Sequence, residues 1–162
     1  HVRSRCYEKL RESKKREQGK IMENIIRLLR RHEGVEPYAY KDHLGYITVG
    51  VGRCLEKDVG MGLSDDEIDY LLRNDIVRVQ EELSEEYDWF ADLDQVRQEA
   101  MINLSFNLGA TRLRGFRNAL AAMAEEDYET AANEFMDSKW SSQVGRRAYE
   151  VTQMIRTGEN FA

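Results

Sequence analysis

Residues 38–52 interrupt a chain whose apolar residues otherwise recur at helical spacing. Tyr38 and Tyr40 alternate with their neighbours, Asp42-His43-Leu44-Gly45 has the composition of a turn, and Tyr46-Ile47-Thr48-Val49-Gly50-Val51-Gly52 is rich in β-branched and aromatic side chains. Alternation on both sides of a turn predicts a small antiparallel sheet. Gly50 and Gly52 within it predict close approach by another backbone or a ligand. Ahead of the sheet, Ile21, Ile25, Leu28 and Leu29 follow a helical period. Gly34 and Pro37 end that helix, because glycine closes helices and proline disfavours helical geometry just before it. Glu33 therefore falls at the helix C-terminus.

Beyond a loop holding Gly60 and Gly62, Ser64-Asp65-Asp66-Glu67 forms a capping box. Ile68, Leu71, Leu72, Ile76, Val79 and Leu83 then predict one helix long enough to bridge two lobes. Asp92 and Gln95 repeat the capping pattern before Val96, Ala100 and Leu104. Shorter helices are expected over 115–124 and 128–138, and a last one capped by Ser142 and closed by Gly158. The expected class is α+β and mostly helical: a small antiparallel sheet lobe at about 34–63, joined by a long helix at about 64–86 to a helical lobe at about 87–158.

Charge divides the chain differently. Residues 1–20 carry eight Lys/Arg and three Glu, leaving −11 on the remainder of a chain whose net charge is −6. An acidic body argues against general nucleic-acid binding, which needs a cationic surface to neutralise phosphates. Residues 1–19 hold little to bury, so they are expected as a basic N-terminal extension, either a solvated helix or a disordered arm, preceding a body at 20–162. No apolar run approaches the roughly 20 residues of a membrane span. Cys6 and Cys54 make no disulfide framework and are expected as free thiols. His1, His32 and His43 have no ligand spacing, so neither metal nor cofactor is expected.

Two carboxyl groups facing one groove can divide acid and base work across a glycosidic bond. Glu33 stands at the helix end and Asp42 nine residues later at the start of the turn, with Thr48 on the following strand able to hold a water near Asp42. In a chain with 30 Asp and Glu such spacing arises readily by chance, so spacing alone leaves solvated surface acids as the competing reading.

The run from His32 to Gly52, with Glu33, then eight residues, Asp42, then five residues, Thr48, resembles the signature of the phage-type lysozymes, the endolysin muramidases of glycoside hydrolase family twenty-four. Glu33-Gly34, Tyr40-Lys41-Asp42 and Thr48-x-Gly50-x-Gly52 match in order, as do Asn103–Gly109, Gly115-Phe116, Ser138-Lys139-Trp140, Gly145-Arg146-Arg147 and Arg156-Thr157-Gly158. The resemblance covers about residues 21–158.

It implies a lysozyme-like fold and cleavage of the β-1,4 bond between N-acetylmuramic acid and N-acetylglucosamine in peptidoglycan. Glu33 would be the general acid, aided by partial burial, and Asp42 an ionised carboxylate that positions water or stabilises positive charge. Thr48 would hold the attacking water. Inversion, the usual description of the family, requires carboxyls roughly 6.5–9.5 Å apart. Arg147 would orient Glu33. Phe106, Leu55, Ala119 and Glu134 would line the substrate cleft, with Phe106 either stacked on a sugar or a core side chain between Leu104 and Leu108. Ala119 and Glu134 replace hydroxyl and amide residues of a relative. Arg53 is expected to pair with an acid of the long helix such as Asp75, and Trp89, Phe90 and Trp140 to be core. A monomer made in a host cytoplasm and acting on the cell wall is expected. Two other readings stay open: a catalytically silent glycan-binding domain of the same fold, and activity on chitin-like polymers.

Overall fold

The computed structural model describes residues 2–161, with side chains from Tyr7 onward; the thiol expected at Cys6 lies outside the described side chains. Two compact units divide the chain between Ile68 and Asp69. The class is the α+β, lysozyme-like one expected, with a three-stranded sheet in the first unit and a helical second unit. Among the described residues no helix is long and apolar enough to cross a membrane.

The first unit opens with α1, Val2–Glu33, a single 32-residue helix. It runs unbroken through the position at which the basic extension was expected to meet the body: no proline stands there, and Gly19, unlike Gly34, does not take the positive φ that closes a helix. It ends at Gly34, whose φ of +79° is the left-handed geometry that favours glycine after a helix. Then come β1 (Glu36–Lys41), β2 (Ile47–Gly50) and β3 (Arg53–Cys54), antiparallel and in that order. Tyr40 opposes Thr48, and Lys41 opposes Ile47. The register shifts between Glu36 and Tyr40, so β1 bulges near its start. Among residues 7–68 only Thr48 is buried. A three-stranded sheet this small gains little from side-chain burial and rests on its ladder and turns.

The loop after β3 is tight. A Cβ on Gly60 would stand 2.5 Å from the carbonyl oxygen of Cys54, so only glycine lets the backbone fold back on the strand. Helix α2, Asp65–Glu86, starts where the capping box places it: Ser64 Oγ accepts from the Glu67 amide at 3.3 Å, and three acids sit in the first turn.

The second unit contains the core. Helix α3 (Gln95–Arg114) is followed by α4 (Arg117–Ala124), α5 (Tyr128–Met136), α6 (Lys139–Val144) and α7 (Arg146–Thr157). Helix α5 packs on α4 and α7, and α3 on α7. Phe135, Met101, Leu104, Leu113, Met123 and Ile155 are fully buried between them. Phe90 and Trp140 join this core and Trp89 packs partly against it.

Three helix ends differ from the expectation. The cap of α3 is Asp94, which accepts from the Arg97 amide, because Asp92 closes a short 3-10 turn at Phe90–Asp92. Ser138 rather than Ser142 caps the next helix, accepting from the Ser141 amide. Gly145, with φ +57°, splits the expected last helix into α6 and α7. Gly109 also breaks the helical geometry of α3, at φ 76° and ψ 162°, a backbone region essentially confined to glycine.

Candidate functional site

Glu33 is the last residue of α1, exposed, where partial burial had been expected. Its carboxylate comes against the β2–β3 turn: a Cβ on Gly52 would stand 3.6 Å from Glu33 Oε2. That is ordinary contact distance, and nothing lies within 4 Å of a Cβ on Gly50, so the close approach anticipated at these glycines is not what they serve; their φ of +69° and +74° is the backbone geometry that favours glycine.

Asp42 is built into the β1–β2 turn. Its Oδ1 accepts from the amides of Leu44 and Tyr46, both at 2.9 Å. Its own amide donates to Tyr46 O, and its carbonyl accepts from Gly45, which supplies the positive φ the turn requires. Oδ1 is therefore committed to the fold, while Oδ2 has no hydrogen-bond donor among the described residues. Thr48 stands on the next strand opposite Tyr40, which comes two residues before Asp42, and Asp42 lies just past the end of β1. The Thr48 hydroxyl donates to Tyr46 O at 3.0 Å and is 3% exposed, leaving its lone pairs to accept. Leu55, half-buried, hangs from the sheet through its amide bond to Ile47 O.

Arg53 pairs with Glu67 at 2.6 Å rather than with Asp75; its Nη1 also donates to Gly62 O, a geometry available only near the start of α2. Asp75 instead pairs with Arg78 within the helix. The Arg53 guanidinium holds the Glu67 carboxyl below the ordinary value of 4.5. A carboxylate so lowered stabilises the fold above about pH 4.5, and that contribution fades as pH falls through its depressed value. Glu67→Gln should therefore speed amide exchange in the β2–β3 hairpin at pH 6 but much less at pH 3. An equal difference at both pH values would show that the charge pair is not what anchors the hairpin.

Two hollows of the second unit hold residues expected to meet the substrate. One, of about 320 Å³, is lined by Leu72, Ile76, Glu99, Ile102, Asn103, Phe106 and Arg147. Phe106 is 41% exposed on this wall, while Leu104 and Leu108 turn into the core, so of its two expected placements it takes the surface one. Arg147 is held in place by Asn103, which accepts from its Nε at 2.8 Å and through its carbonyl from Nη2. The other hollow, of about 600 Å³, gathers Ala119 and Glu134 with Arg112, Arg117, Asn118 and Asp137. Ala119 is buried, so it shapes the floor and offers no polar contact. Asn118 and Asp137 were not expected; nothing in their sequence neighbourhood distinguishes them from other surface polar residues. Asn103 had a signal, since it opens the matching run at 103–109, yet its grip on Arg147 spans 44 residues and could not be read from spacing.

Comparison with known proteins adds independent findings. The family model for phage lysozyme matches residues 30–156. The chain is 29% identical over 161 residues to the pre-baseplate central spike protein Gp5 of Enterobacteria phage T4, an alignment covering 83% of this chain but only 28% of that protein. It is 26% identical over 164 residues to the probable T4-type lysozyme 1 of Dictyostelium discoideum, covering 85% of this chain and 96% of that one. An endolysin of Acyrthosiphon pisum secondary endosymbiont phage 1 is 31% identical over 121 residues, covering 75% of this chain and 80% of that one.

Proposed function

Since the chain belongs to the phage lysozyme family and is a lysozyme-type hydrolase of peptidoglycan, we propose that it cleaves the β-1,4 bond between N-acetylmuramic acid and N-acetylglucosamine, with Glu33 as general acid and Asp42 and Thr48 holding the attacking water. Residues 20–162 form the catalytic domain in this reading. The observation that supports it most is the Asp42 carboxylate, one oxygen locked by two backbone amides and the other without a donor among the described residues, in the turn that follows the Tyr40–Thr48 pair.

The chemistry follows from the hydrogen-bonding capacity of each group. Water donates one hydrogen to Asp42 Oδ2 and the other to Thr48 Oγ1, whose own proton is engaged with Tyr46 O. This leaves a water lone pair to attack the anomeric carbon. As the carbon–oxygen bond to water forms, the bond to the leaving sugar breaks. Glu33 protonates the departing oxygen and Asp42 takes the proton from water, so Glu33 ends ionised and Asp42 protonated until solvent resets both. Phe106, Leu55, Glu134 and Arg147 contact the glycan in this reading, Phe106 against an apolar sugar face and Glu134 and Arg147 through polar groups, while the buried Ala119 shapes the subsite beneath them.

Displacement by a water positioned this way inverts the anomeric centre. Proton NMR of the first products from purified peptidoglycan should show the α-anomer before mutarotation. A β-anomer would overturn the single-displacement role of Asp42. Chitin oligomers in a parallel reaction test substrate range, and release of reducing ends from them at the same rate would replace the muramyl-specific reading.

A further inference from the structure

Beyond α1, seven arginines pair with carboxylates, while Lys41, Lys57, Arg112, Arg117, Lys139 and Arg147 form no ion pair among the described residues. On α1, no lysine or arginine from Lys9 to Arg31 forms an ion pair among the described residues, and all are exposed. At 3.6 residues per turn, Lys9, Arg16, Lys20, Arg27 and Arg31 fall within about 60° of one another, a stripe about 27 Å long from Lys9 to Arg27. Ile21, Ile25 and Leu28 lie on another side of the helix, and Glu8, Glu12 and Glu23 along one flank. All of the stripe except Arg31 lies outside the residues that the family model matches.

We propose that this stripe is a docking surface for the carboxylates of the peptidoglycan lattice, an inference that rests on the reading of the substrate given above. Charge complementarity selects the partner. Residues 21–162 carry −11 and are repelled by an anionic wall, whereas residues 1–20 carry +5. Stem-peptide carboxylates are fixed on an insoluble polymer, so a row of unpaired cations on a rigid helix engages many at once. The same helix ends in Glu33, so the stripe and the acid belong to one continuous element.

The test is pelleting with purified sacculi stripped of other polymers, in a Glu33→Gln background that leaves the lattice intact. K9Q/R16Q/K20Q/R27Q should bind at least about tenfold more weakly at low salt, and the difference should vanish near 1 M salt, where charges are screened beyond about 3 Å. Glutamine keeps good helix propensity. The charge-preserving K9R/R16K/K20R/R27K should bind as the parent does. Amidating the sacculus carboxylates should weaken the parent to the level of the glutamine variant, a comparison that needs no altered helix. Equal pelleting by the glutamine variant and the parent, undiminished binding to amidated sacculi, or equal loss in the charge-preserving variant would each overturn the proposal. The hydrolase reading has its own readout: release of reducing ends from soluble glycan strands by protein with Glu33 intact. Its failure would leave the pelleting result standing.

Discussion

Glu33→Gln should lower turnover on peptidoglycan by roughly 10²–10⁴-fold, the range over which a positioned general acid contributes. Glutamine keeps the size and the hydrogen-bonding outline of glutamate but has no proton to give. Structural loss is expected to be small, because the side chain is exposed and forms no hydrogen bond or ion pair among the described residues. Unfolding free energy should stay within about 0.5 kcal/mol of the parent. The assignment makes a sharper demand as well. A substrate with a good leaving group, such as an aryl glycoside, needs little protonation, so the loss on it should be far smaller than on peptidoglycan. Asp42→Asn should be damaging on both substrates, since water must be activated in either case. Equal losses on the two substrates for Glu33→Gln would mean that the residue does not act as the acid.

The largest effect on stability is expected in the other unit. Phe135→Ala should cost about 3–5 kcal/mol, measured by urea unfolding. The side chain is wholly buried on α5, which packs against both α4 and α7, and its ring lies 5.2 Å from that of Phe116 at a tilt of 39°. Removing it opens a void at the junction of three helices and strips Phe116 of its ring partner. Phe116 and Glu134 also line the hollow that holds Ala119, so the same change should alter that hollow's shape. A cost below about 1 kcal/mol would show that the helices close around the gap.

Periodicity carried most of the fold. The α2 boundaries were legible because a cap, an acidic first turn and a long apolar stripe coincide in Ser64–Leu83. Strand β3 was not, since Arg53-Cys54 is two residues long with neither alternation nor β-branching. Asp92 and Asp94 offer the same side chain two residues apart, and only the 3-10 turn between them decides which one caps α3. Helix α1 was expected to gain definition only at its apolar residues, yet its polar first half continues the same helix because nothing in it interrupts the ladder. At the site, Asp42 and Thr48 were legible as turn and strand residues. What was not legible was the division of labour between the two Asp42 oxygens, which depends on where the Leu44 and Tyr46 amides point. Partners distant in sequence, such as Asn103 for Arg147, leave no periodic trace.

The sparse burial of the sheet unit bears on how this enzyme can change. Glu33, Asp42 and Thr48 all lie in the part where Thr48 alone is buried among residues 7–68, while the densely packed helices lie in the other. Variation around the groups proposed to react therefore draws little on the reserve that keeps the chain folded. Random libraries confined to residues 35–63, outside the glycines at the turns, should yield many proteins that melt like the parent but differ widely in rate. Libraries confined to the buried positions of α3, α5 and α7 should do the reverse. Stability and the proposed chemistry are housed apart, so the second can vary with little effect on the first.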